Sequence, residues 1–74
     1  METLDWYNEA DIYRLAQIEA SQCLMNEDDT KHIAQKRQIH HRVLTEHFFD
    51  MMAGDYIIFK GYCSMYNFEP TRKE

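Results

Sequence analysis

Four histidines, two cysteines and two serines are the side chains from which this 74-residue chain could assemble a reactive centre. His40 and His47 stand seven apart, so two helical turns would place them on one face beside Leu44, with His41 adjoining that face. A zinc site needs three or four ligands at set spacings, and neither an HExxH pattern nor a suitably spaced carboxylate accompanies these imidazoles. The spacing predicts histidines that border the core or an interface, with no metal and no cofactor. An interface built on His40, His41 and His47 would change affinity between about pH 7.5 and 5.5, where histidine titrates.

Cys23 and Cys63 lie forty apart with no CxxC pair, too sparse for a disulfide framework. They read as reduced, partly buried thiols of a cytoplasmic protein. Neither thiol, nor Ser21 or Ser64, has the neighbours of an activated nucleophile, and no glycine-rich phosphate loop is present. His47 and Asp50, three apart on a helix, fit a surface contact better than a catalytic dyad. So short a chain also has little interior for a pocket of about 300 Å³ or more. The expectation is a protein without catalytic residues that works by binding.

Charge is segregated along the chain. Residues 1–29 carry Glu2, Asp5, Glu9, Asp11, Glu19, Glu27, Asp28 and Asp29 against Arg14 alone, a net of −7. Residues 30–45 carry Lys31, Lys36, Arg37 and Arg42 with no acid, a net of +4, and hold His32, His40 and His41. The plainest consequence is compensation between neighbouring helices, within one copy or across a dimer; each exposed pair contributes about 0–1 kcal/mol. A sharper reading makes Glu2, Asp5, Glu9, Asp11, Glu27, Asp28 and Asp29 an acidic surface for a partner protein's basic groove. Spaced carboxylates there would stand in for nucleic-acid phosphates. In size and charge profile the chain resembles small acidic phage proteins that shut down host machinery, which implies inhibition by occlusion or mimicry. The alternative is nucleic-acid binding through Lys31, Lys36, Arg37 and Arg42. The net charge of −5 opposes it.

Seven of the ten aromatic residues fall between Phe48 and Phe68, among Met51, Met52 and Met65. Phe48, Met51, Met52 and Phe59 suit a core. The surplus, with Tyr56, Tyr62 and Tyr66 as the contact candidates, suits a partner or a homodimer, because tyrosine and methionine are enriched at interface centres.

The elements that must position these groups are read from periodicity and punctuation. Two glycines and one proline favour helices, and 45% hydrophobic residues predict a packed fold. The expected fold is all-α and a single small domain over 1–74: an antiparallel helical hairpin (about 8–25 and 28–53) followed by a short third helix. Asn8 is the expected N-cap of the first helix, with Ile12, Leu15, Ala16, Cys23 and Leu24 as its apolar stripe. The second helix places Ile33, Leu44, Phe48 and Met51 on one face and stops at Gly54 as a left-handed C-cap. Gly54-Asp55-Tyr56 resembles the turn between paired helices of tetratricopeptide-type repeats, a likeness confined to those residues that implies no function. Asp55 would then cap the third helix and Glu69-Pro70 close it. The competing reading is a β-hairpin over 56–66 turning at Lys60-Gly61. The N-terminal residues lack a basic segment followed by an apolar run, and no stretch reaches the roughly 18–20 apolar residues of a membrane span. No membrane association is therefore expected.

Overall fold

The computed structural model describes residues 1–25 and 40–73. In chain order these form β1 (Glu2–Asp5), α1 (Glu9–Met25), α2 (His41–Gly54), α3 (Tyr56–Met65) and β2 (Phe68–Thr71). The protein is mostly helical, but not all-α: β1 and β2 pair as a two-stranded parallel sheet, with Leu4 opposite Pro70 and Asp5 opposite Thr71. The expected residues 28–39 of the second helix lie outside the described residues.

α1 begins as its sequence dictates. The Asn8 side chain accepts from the Ala10 N–H at 3.0 Å, and Glu9 and Asp11 sit in the first turn, opposing the positive end of the helix. Its buried stripe is Ile12, Leu15, Ala16, Ala20 and Cys23, the i, i+3, i+4 ladder of one face. Leu24 points outward instead, because it lies one residue beyond Cys23 and so about 100° round the helix.

α2 packs against α1 in antiparallel fashion. Ser21, near the end of α1, meets His41 at the start of α2 (Oγ to Nε2, 3.0 Å), while Tyr13 lies edge-on to Phe49 at 6.0 Å. α2 is shorter at its start than the predicted helix, since His40 is extended at φ −81°, ψ 161°. Nothing local marks that start: no side chain caps it and no acid occupies its first turn. Leu44, Phe48 and Met52, four apart, are its buried face; Met51, one step round, is only partly buried. The buried Thr45 satisfies its hydroxyl by donating to the His41 carbonyl at 2.8 Å.

The α2–α3 junction is a single residue. Gly54 is still helical and has no positive φ, so it is not the left-handed cap expected of it. Asp55 makes the turn at φ −148°, ψ 110°, ending α2 and capping α3 through its carboxylate, which accepts from the Ile57 N–H at 2.9 Å. That cap excludes the alternative β-hairpin over 56–66. The residues rich in β-branched and aromatic types continue as helix because Phe59 and Cys63, four apart, both drop into the core.

α3 ends at Met65, well before Glu69-Pro70. Asn67 adopts φ 63°, a left-handed conformation asparagine tolerates better than most residues, and the chain leaves extended into β2. Two strands of four residues are marginal alone, but Leu4 is wholly buried and Phe68 packs against the same core. The Trp6 N–H donates to the Thr71 carbonyl at 2.7 Å, so Thr71 turns its backbone groups toward β1 and Pro70 turns away. On that outer edge Pro70 offers no N–H. On the opposite edge the Asp5 N–H is taken by the Asp11 carboxylate and the Asp5 carbonyl by the Asn8 N–H, both at 2.9 Å. Both edges are thus interrupted against addition of a further strand.

Candidate macromolecule-binding surface

Four of the predicted acids come together where β1 meets the start of α1. Glu2 pairs with Arg14, whose guanidinium also lies 5.5 Å from the Phe68 ring centre, tying β1, α1 and β2 at one point. The hydrogen bond to Glu2, then its charge, holds the Arg14 pKa above its ordinary value. Asp5 and Asp11 have structural work as well: the Asp5 carboxylate accepts from the Tyr7 N–H at 2.9 Å, and Asp11 accepts from the Asp5 N–H. Exposed Glu9 makes no hydrogen bond or ion pair within the described residues. Glu27, Asp28 and Asp29 lie outside those residues, as do Lys31, Lys36 and Arg37 of the alternative basic surface. Arg42 is exposed and pairs with Glu46 one turn along α2 at 3.5 Å.

The three tyrosines divide into two places. Tyr62 on α3 and Tyr66, the residue that follows α3, lie beside Glu19 of α1, to which the Tyr66 hydroxyl donates. Burial, then the Glu19 carboxylate, pushes the Tyr62 pKa up. For Tyr66 the same causes act, with the hydrogen bond to Glu19 second. Tyr62 also meets Phe48 edge-on at 6.0 Å. Tyr56, at the other end of α3, packs edge-on against Trp6 at 5.5 Å.

The histidines do not share the predicted face, because His40 precedes the helix. His41 is held by Ser21, and exposed His47 lies edge-on to Phe48 at 5.2 Å. Among the described residues no three of His, Cys, Asp and Glu are placed to hold a metal ion. Both cysteines are buried and neither is in a disulfide. Burial, then the charge of Asp11, pushes the Cys63 thiol up to about 11, and Cys23 Sγ lies 3.6 Å from Glu19 Oε1. No helix among the described residues is long and apolar enough to cross a membrane.

Two features escaped the sequence reading. The outer face of α3 carries Ile57 at 77% exposure and Met65 at 62%, with Ile58, Gly61 and Tyr62 between them lining a shallow groove of about 330 Å³. The spacing 57, 58, 61, 62, 65 was a helical stripe in plain view, but Phe59 and Cys63 form a second stripe, and the sequence does not say which one is covered. The other feature is Arg72, stacked over Tyr56 at 4.3 Å and over Trp6 at 5.6 Å. Compared with known proteins, the chain matches no family model, no curated sequence and no solved structure.

Proposed function

We propose that this chain is a cytoplasmic, non-enzymatic inhibitor or adaptor that binds a protein with a basic surface, in the manner of phage proteins that occlude a nucleic-acid-binding groove. The observation that supports it is that Glu2, Asp5, Glu9 and Asp11 all lie on β1 and the first turn of α1, where Arg14 is paired with Glu2 alone, on backbone fixed by the Asp5–Asp11 bond and the Asn8 cap. A rigid acidic corner presents its field without ordering cost, and such charge sets encounter rate and partner choice. The mechanism is occlusion: the acidic corner fills a positively charged groove and excludes the polyanion that would sit there.

Glu9 is the position at which to test it, since Asp5 and Asp11 also hold the fold. Glu9→Lys is expected to weaken binding to an arginine-rich peptide several-fold and to flatten its salt dependence, with unchanged circular dichroism. Salt-insensitive binding overturns the reading, and retardation of DNA or RNA by the wild-type protein favours the nucleic-acid alternative.

The exposed face of α3 supports a second contact, with another copy of the chain. Ile57 and Met65 stand exposed on it, residues 56–65 include no acid in a molecule of net charge −5, and a Cβ at Gly61 would meet nothing within 4 Å. A neighbouring helix can therefore approach closely at Gly61. Ile57→Glu is expected to shift a sedimentation profile toward monomer; an already monomeric wild type at high concentration removes this reading.

A further inference from the structure

Arg72 follows the last residue of β2, yet its guanidinium lies over two aromatic rings contributed by other elements. Those rings are held by contacts that do not involve Arg72. The Trp6 indole N–H donates to the Met52 carbonyl at 2.8 Å, one of the last four carbonyls of α2, which have no partner within their own helix. Tyr56 is the first residue of α3, fixed by the Asp55 cap, and its ring also packs on Phe59 at 6.1 Å.

Two features favour a cation at this place. The ring faces attract a guanidinium, most strongly over tryptophan. Asp55 adds an exposed carboxylate at the α2–α3 junction. The receptor is built from the residue that follows β1, the end of α2 and the start of α3, whereas its occupant hangs from an exposed residue beyond the sheet.

We propose that Trp6 and Tyr56 form a binding site for an arginine side chain of a basic partner, closed in the isolated protein by Arg72. The site takes a planar guanidinium in trans when Arg72 withdraws. Ownership of that arginine by a basic partner rests on the reading above; the site itself does not.

Trp6 is the sole tryptophan, so its emission reports on the site directly. The probes are N-acetyl-arginine amide and its neutral isostere N-acetyl-citrulline amide, titrated into wild-type protein and Arg72→Ala. Arg72 acts as a tethered competitor, so Arg72→Ala is expected to show a saturable shift of Trp6 emission at lower arginine amide than wild type requires. Citrulline amide is expected to give no saturable change, and adding Tyr56→Leu to Arg72→Ala removes the arginine response. Arg72→Gln, which keeps part of the side-chain stem, replaces Arg72→Ala where the circular dichroism of the latter differs from wild type.

Equal responses to arginine and citrulline, or no saturable response in a folded Arg72 variant, overturn the site. Loss of folding in both Arg72 variants makes the contact a structural clasp and overturns it too. An arginine response together with peptide binding indifferent to Glu9→Lys keeps the site and removes the acidic-corner reading. A Glu9-dependent peptide affinity with no arginine response does the reverse.

Discussion

Cys63 shows how burial, helped by the charge of Asp11, sets the chemistry of a side chain. Its thiol is wholly enclosed and pushed up to about 11 from 9.0. Nucleophilicity resides in the thiolate, so iodoacetamide labelling of Cys63 in the native protein at pH 8 is expected to be far slower than in urea. Stability is linked to the same shift. A group whose pKa is raised by folding contributes stability fully below its unfolded value, and that contribution is lost as pH rises toward the folded value. For Cys63 the window runs from 9.0 to about 11, and Tyr62 and Tyr66, raised from 10.0, extend it upward. Urea midpoints are expected to fall between pH 8.5 and about 10.5. A midpoint that holds or rises over that range contradicts the burial of these groups.

At the scale of elements, the residues that were legible are those whose signal is local. Asn8 before an apolar ladder and Asp55 before Tyr56 are helix starts by side-chain chemistry alone, and both make the bonds expected of them. Asp55→Ala is expected to cost about 1 kcal/mol, read as a lower thermal midpoint with α3 fraying first. Gly61 is legible in the opposite sense. It sits inside α3 with open space around it, so Gly61→Ala is expected to raise stability by about 0.5–1 kcal/mol in chemical denaturation. What was not legible depends on long-range contact. Glu-Thr-Leu-Asp has neither length nor alternation enough to announce a strand, and it becomes one because Leu4 finds the core and Phe68–Thr71 lies alongside. The hairpin alternative failed for the same reason: Tyr56 to Met65 has strand-forming residue types, but the covered positions repeat at four, not two.

Across the whole molecule, one core joins both strands and all three described helices: Leu4, Leu15, Leu44, Met52, Phe59 and Cys63 are each at most 1% exposed. In a chain this small such a cluster carries most of the stability, and Phe59→Ala is expected to cost about 3–5 kcal/mol, enough to abolish a cooperative thermal transition. The candidate site was only partly visible beforehand. Charge segregation located Glu2, Asp5, Glu9 and Asp11, but only the fold shows that Asp5 and Asp11 are also ties between β1 and α1. The Trp6–Tyr56–Arg72 stack joins residues from three parts of the chain, and no spacing rule connects them.

The direction of the β1–β2 pairing has a mechanical consequence. Because the strands run the same way, the segment before Glu2 leaves at one end of the sheet and the segment after Thr71 leaves at the other. Tension applied through those two segments acts along the strands, so the ladder and the Trp6–Thr71 bond resist together in shear instead of opening one by one. Stretched between its ends, the molecule should yield at higher force than when pulled through Gly54 and either terminus, where the same bonds no longer share the strain.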